Sequence, residues 1–429
     1  MRNEALKGKR LAVFGANNVI AEVKRFAKEN EIVLISVGNI PESAMHKVSQ
    51  EQYYVDCTDE AAIKQLFAEK HIDGLLSCSS EAVIRQSVGF IERLGIRYFA
   101  TAHQWDILMN KQKFKEYASC FGIQKIPDYD PMSQDIDFPV IVKPVDNGGS
   151  FGIRICNTYQ ELSEAIKYAR ENSLSGNVIC EKFIEGDYFQ FEIWRQNGKS
   201  YFPYTKERLF YAAVGDSPQQ PFADIYPSTS DNLIMRELYA PTSEIFDSLG
   251  VDNGSCMFQG LIWNGYPYVM DTAFRLSGGM DFRVVEKDKG VDLVASHMEY
   301  ALTGKFGGDF SALSRPLNMS YATLCIGLKN GKIGKIIGLD KVSQKPYVYS
   351  LFTYYAEGDE MKYSGLFLQV LSRIFICGKD IREVKRHMAE IMQMIEVYDE
   401  NGKPMLRDYP DIGACLQCGQ NNVNLREDC

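Results

Sequence analysis

The sequence predicts a mixed α/β and α+β protein in three parts: an N-terminal parallel-sheet domain, a two-lobed central domain and a small C-terminal α+β domain. Three observations predict it. Short apolar runs alternate with helix-length segments through residue 99, a lysine-bearing strand runs into a glycine-rich turn at 143–152, and strand-like segments recur between 178 and 271.

The N-terminal alternation is read element by element. Leu11–Phe14 is an apolar run ending at Gly15, followed by a helix through Lys28 and a second strand at 32–37. Tyr53–Val55 is a third extended piece, and Thr58-Asp-Glu-Ala-Ala-Ile63 opens a capped helix. Asp73–Ser77 is a fourth strand, Glu81–Leu94 a helix and Ile96–Phe99 a fifth strand. This is a Rossmann-like order. A dinucleotide fingerprint needs three glycines in the first turn, and only Gly15 stands there. The domain is therefore expected to be structural or substrate-facing.

Further on, Asp106–Phe121 reads as one charged helix capped at Gly122. Val140–Pro144 is a strand, followed by Ile153–Ile155, a helix over Tyr159–Arg170 and the strand Val178–Glu181. Strands at Tyr188–Trp194, Ser255–Ile262 and Tyr268–Asp271 suggest an antiparallel sheet. Ala322–Leu328 and Lys332–Leu339 flank Asn330-Gly331, a favourable hairpin turn, and Ile381–Met394 closes the chain's last domain as a helix. The expected boundaries are 1–104, 105–312, 313–410 and a cysteine-containing tail over 411–429.

Composition narrows the functional classes. A chain of 429 residues exceeds one compact core, and its 45% hydrophobic and 24% charged content is that of a folded protein. The formal net charge of −9 argues against non-specific binding to nucleic acid or an anionic membrane. No apolar run approaches the ~20 residues of a membrane helix, and the start lacks a signal-peptide pattern, so a cytoplasmic location is expected. Of eleven cysteines, eight are scattered singly as small hydrophobes. Cys415 and Cys418 form a single CxxC with Cys429 beyond, three thiols at most and short of a closed zinc site.

The strongest constellation is Phe138-Pro-Val-Ile-Val-Lys-Pro-Val-Asp-Asn-Gly-Gly-Ser-Phe-Gly152. A strand carries Lys143 to its end, beside Gly148, Gly149, Ser150 and Gly152. Glycines let backbone N–H groups approach phosphate oxygens because no Cβ stands in the way, and the lysine adds a point charge. The spacing differs from a Walker A loop, which needs Gly-Lys-Ser/Thr opening a helix.

From Asn110 to Gly304 the chain resembles the ATP-grasp superfamily, with its motifs in the expected order. Asn110-Lys111 is similar to the opening Asp-Lys of that family, whose lysine reaches nucleotide phosphates; Asn110 replaces the usual Asp. The resemblance makes Lys143 the second nucleotide lysine, 146–152 the phosphate loop, and Glu181, Lys182, Phe183 and Ile184 the segment whose backbone meets adenine. Gln259 and Asp271-Thr-Ala273-Phe-Arg275 resemble the metal strands, where relatives carry Glu and then Glu-x-Asn-x-Arg around magnesium. Here Gln259 offers a neutral carbonyl, Asp271 a shorter carboxylate and Ala273 no donor. Alternation along a strand places Asp271, Ala273 and Arg275 on one face.

The resemblance implies ATP and Mg2+ as cofactors, a small carboxylate and an amine as substrates, and a possible homodimer. The branch most similar in pattern is that of L-amino-acid ligases and carbamoyl-phosphate synthases. A carboxylate would attack the γ-phosphate, and an amine would displace phosphate from the acyl phosphate, with Lys143 and Arg275 in catalytic roles. The altered metal positions leave a second reading open, a nucleotide-binding protein with a regulatory role and no turnover. A zinc-linked interaction protein built on the tail is a third.

Overall fold

The computed structural model describes residues 3–15, 17–147, 151–211, 220–362 and 369–409. Two compact units divide the chain: Met1–Ile126, Phe191–Tyr204 and Asn232–Pro316 form the first, and Pro127–Gln190, Thr205–Asp231 and Leu317–Cys429 the second. The Cys415, Cys418 and Cys429 tail and the loop residues Gly148, Gly149 and Ser150 lie outside the described residues.

In the first unit, Glu51–Tyr53, Val33–Val37, Arg10–Phe14 and Gly74–Leu76 form a parallel sheet in that spatial order. Its core joins Ala12, Phe14, Ile35 and Leu75 to Ile63 and Ile91 from the helices Glu60–Lys70 and Glu81–Arg93. Asp59 caps the former helix by accepting from the Ala62 N–H, one residue beyond the predicted start at Thr58. Strand order reverses between Arg10–Phe14 and Gly74–Leu76, and the carboxyl ends of such a pair border a crevice.

Two sequence expectations fail in this unit. Ile96–Phe99 is an irregular connection; its apolar character serves burial, with Phe99 edge-on to Phe274 and His297. A short apolar run signals burial and does not by itself signal pairing. The single helix expected over 106–121 is two, Ala102–Met109 and Lys111–Ser119. Asn110 breaks them in an extended conformation, and its side chain accepts from the N–H groups of Gln112 and Lys113. An N-cap role accepts Asn as readily as Asp, so the departure at Asn110 leaves the helix start intact. The antiparallel strands Gly254–Trp263 and Tyr266–Ala273 follow, as expected.

In the second unit, Arg154–Cys156, Val140–Pro144 and Val178–Lys182 form a small antiparallel sheet. Val140, Val142 and Cys180 face the helix Tyr159–Glu171, packing on Leu162, Ala165 and Ala169. Alternation therefore turns Ile141, Lys143, Ile179 and Glu181 to the other face. A second antiparallel sheet runs Thr205–Phe210, Pro221–Tyr226, Ser320–Gly327, Val370–Gly378, Val348–Thr353. One of its faces is covered by the helix Ile381–Met394.

The hairpin expected across Asn330-Gly331 does not form. Every position of Ser320–Gly327 is buried, so this strand is central and takes a neighbour on each edge, Pro221–Tyr226 and Val370–Gly378. Gly331, at φ 140°, lets the chain leave this sheet. Gly331–Ile337 pairs instead with Glu360–Met361 and Glu396–Asp399. A Cβ at Gly334 would stand 2.4 Å from the Asp399 carbonyl oxygen, so the close approach of these strands needs glycine there.

Candidate active site

Two groups of site residues are built separately, one in each unit. In the second unit, Lys143 is the fourth residue of its strand and Glu181 the fourth of the antiparallel neighbour. Ile141 opposes Glu181 and Lys143 opposes Ile179, so the two charged side chains are diagonal neighbours on one face. Lys143 Nζ lies 2.5 Å from Glu181 Oε2, with side-chain exposures of 7% and 4%. A buried pair of this kind holds its partners in one geometry, since neither charge has water to turn to.

The glycine loop is fixed at both roots. Burial would raise the Asp146 carboxyl, but hydrogen bonds from Ser175, Ser173 and Leu174 outweigh it and hold the group below the usual carboxylate range. Asn147 Nδ2 donates to the Asn172 carbonyl at 2.7 Å. At the other root, Gly152 has φ +77°, and a Cβ there would stand 2.7 Å from Pro144 Cγ and 2.8 Å from Asn172 Cβ.

The expected adenine segment is partly used by the fold. The Lys182 N–H donates to the Pro127 carbonyl at 2.9 Å and the Phe183 N–H to the Pro139 carbonyl at 3.0 Å. The Ile184 N–H makes no hydrogen bond among the described residues, although Ile184 is buried. Lys182 Nζ is tied to the Asp137 carboxylate at 2.6 Å.

The first unit carries Lys111, Gln259, Asp271 and Arg275. Lys111 opens the helix that Asn110 caps, and its Nζ lies 3.2 Å from Asp271 Oδ1. Gln259 and Asp271 face each other across the antiparallel pair, and Met257 faces Ala273. The spacing of twelve between 259 and 271 is thus a hairpin register, which brings the two donors together. The one-face expectation ends at Ala273, where the strand ends. The Arg275 N–H donates back to the Ala273 carbonyl, and Leu276 N–H donates to Cys78 O at 2.8 Å, so the chain turns to the carboxyl end of the parallel strand Gly74–Leu76. Arg275 there meets Glu81 at 3.3 Å and the Leu276 carbonyl at 3.1 Å. Its buried Nε has no hydrogen-bond partner among the described residues. A guanidinium in that state is a donor waiting for an acceptor.

Sequence reasoning missed two features. Glu81, read only as a helix start, orients Arg275 and also pairs with Arg85 at 2.6 Å. Lys206, Arg208 and Asp224 form a buried cluster in the second unit: Arg208 grips Asp224 through Nε at 2.6 Å and Nη2 at 3.1 Å, and Lys206 reaches it at 2.9 Å. Burial acts to raise the Asp224 carboxyl, but the neighbouring Arg208 and Lys206 hold it far below the usual range. The charges themselves were visible, Lys206 and Arg208 alternating along one strand and Asp224 interrupting an apolar one, but their pairing across the strands was not.

Among the described residues no group of three His, Cys, Asp or Glu side chains is placed to hold a metal. Burial pushes the Cys78 thiol up to about 12 and Cys156 and Cys180 up to about 11, so these are not thiolates at neutral pH. No helix among the described residues is long and apolar enough to cross a membrane.

Residues 122–210 match the family model described as D-ala D-ala ligase C-terminus. A D-alanine–D-alanine ligase of Fusobacterium nucleatum is 38% identical over 80 residues, 19% of this chain and 28% of the relative. The carbamoyl phosphate synthase large chain of a Thermoanaerobacter species is 24% identical over 337 residues, 71% of this chain and 30% of the relative. The chain thus spans less than a third of either curated relative. Among solved structures, L-amino acid ligase from Bacillus licheniformis superposes with a TM-score of 0.77 at 18% identity, over 92% of this chain and 99% of that one. Residues 122–210 thus match a segment of the D-ala D-ala ligase C-terminus family, and the chain shares the fold of that L-amino acid ligase over nine-tenths of its length.

Proposed function

We propose that the protein is an ATP-dependent carboxylate–amine ligase acting on small molecules in the cytoplasm. The observation that carries the reading is Lys143, buried against Glu181 at the root of a glycine loop clamped by Asp146 and Gly152. A fixed ammonium, followed in sequence by Gly148, Gly149 and Ser150, suits the phosphates of a nucleotide.

In this reading Lys143 of the second unit is a phosphate-binding lysine and the Ile184 N–H meets the adenine edge, with Glu181, Lys182 and Phe183 framing it; Lys111 of the first unit is, taken by itself, also a phosphate-binding lysine. The substrate carboxylate attacks the γ-phosphorus, ADP leaves, and an amine then displaces phosphate from the acyl phosphate to give an amide. Arg275, held by Glu81, uses its Nε to bind the transferring phosphoryl oxygens. The acyl phosphate must be kept from water, which would otherwise hydrolyse it. Asp271 and the Gln259 carbonyl are the donors the first unit offers, too few to hold magnesium by themselves; an ion borne by the nucleotide would neutralise phosphate charge.

Support comes from the named activities of the matched proteins and from eight free cysteines with no disulfide among the described residues, as a reducing compartment would leave them. A homodimer is compatible with this reading. One observation favours a second reading, binding without turnover: a single carboxylate remains among Gln259, Asp271 and Ala273. The two are separated by ADP release against a panel of small carboxylates with and without amines, with products weighed by mass spectrometry. The ligase reading expects ADP only when acid and amine are both present in a productive pair. Tight ATP binding with no ADP across the panel would select the binding protein.

A further inference from the structure

We infer that the Lys111 ammonium takes the place beside Asp271 that a protein-held divalent cation would need, so that the chain has no free-standing metal site there and binds nucleotide without one. The inference rests on the nucleotide reading above. Magnesium demands about six oxygen ligands near 2.1 Å in octahedral array. What the first unit offers is one carboxylate, and that carboxylate is engaged. Asp271 Oδ1 lies 3.2 Å from Lys111 Nζ and accepts from the Thr272 N–H at 3.0 Å.

The neighbouring positions cannot make up the set. Across the pair, Gln259 supplies a neutral amide, and the next pair on the same face of the strands is Met257 with Ala273, which supplies no oxygen donor from its side chains. Lys111 is held in place by its position at the start of a helix capped by Asn110, and its side chain is only 10% exposed. A cation entering beside Asp271 would stand within a few ångströms of that ammonium and be repelled by it. The ammonium neutralises Asp271 in the absence of a metal, which removes the repulsion that a bare carboxylate would exert on an incoming triphosphate. Metal then reaches the site only as part of the nucleotide complex.

Two measurements on the full chain test this. In the first, the nucleotide-free protein is titrated with Mn2+ and free ion is followed by electron paramagnetic resonance; no site tighter than about 1 mM is expected. A stoichiometric site of about 10 μM or tighter would overturn the inference whatever the nucleotide does. In the second, affinity for a non-hydrolysable ATP analogue is measured by calorimetry in EDTA and in excess Mg2+. Values within about threefold are expected, whereas a loss of thirtyfold or more in EDTA would overturn the inference. Absence of binding in both buffers would overturn the nucleotide reading itself. The double substitution Gln259→Glu, Ala273→Asn, which rebuilds the donor set, should create Mn2+ binding in the nucleotide-free chain; a folded double variant still blind to Mn2+ would contradict the donor argument.

Discussion

Replacing Lys143 by methionine isolates the buried pair at the centre of the second unit's site. The side chain keeps its length and loses its charge. At 2.5 Å and an effective dielectric near 20, the ammonium and carboxylate attract by roughly 7 kcal/mol, opposed by a desolvation cost of several kcal/mol for each ion. The net value of the pair is therefore small, but removing one partner is a different matter. Glu181, at 4% side-chain exposure, would be left as a buried carboxylate without its cation, at a cost of about 3–5 kcal/mol. Thermal unfolding followed by circular dichroism should show the midpoint falling by roughly 6–20 °C in Lys143→Met. The double variant Lys143→Met, Glu181→Leu removes both charges and should recover most of the loss, while still failing to bind ATP. A single variant within about 2 °C of the parent would refute the claim that the pair is desolvated and mutually dependent.

Three further outcomes follow from the same geometry. Arg275→Lys keeps the charge but loses the Nε donor and the planar fork, and should lower ADP release about 10²-fold with little change in nucleotide affinity, read from initial rates and calorimetry. Gly152→Ala forces a Cβ to 2.7 Å from Pro144 Cγ at a left-handed φ, and should cost about 1–3 kcal/mol and weaken nucleotide binding, measured by denaturant melts and calorimetry. Burial holds His297 down to about 3, so the unfolded chain binds one more proton between roughly pH 6.5 and 3; stability should fall by up to ~1.4 kcal/mol per pH unit as pH drops through that window. His297→Met should flatten that part of the melting-temperature profile, and an unchanged slope would show that other groups control it.

Legibility in the sequence followed physical scale. Segments with a strong period and a chemical boundary were readable: Ile381–Met394 is the helix expected, capped by Asp380, and Val140–Pro144 and Val178–Lys182 are strands where expected. The Lys143 strand was legible because its apolar alternation ends on a lysine and a proline. Long-range choices were not. An Asn-Gly turn makes a hairpin locally favourable, yet Ser320–Gly327 is buried throughout and its edges belong to strands about one hundred residues before and fifty after it. The partners of site residues were equally hidden. Glu81 reaches Arg275 across 194 positions, and Asp224 gathers Lys206 and Arg208 through strand register, which a linear pattern does not encode. The pairing of Gln259 with Asp271 was half visible, since their spacing was noted but its cause, a hairpin with the two opposed, needed coordinates.

The central claim is that a carboxylate oxygen is phosphorylated on the way to an amide. Supplying a productive acid labelled with oxygen-18 in its carboxylate, together with its amine and unlabelled ATP, tests this directly. The account predicts one labelled oxygen in each phosphate released, with the other kept in the amide carbonyl. Phosphate carrying no label, released at the same rate as product, would show that water and not the carboxylate attacks the γ-phosphorus, and the account would be wrong.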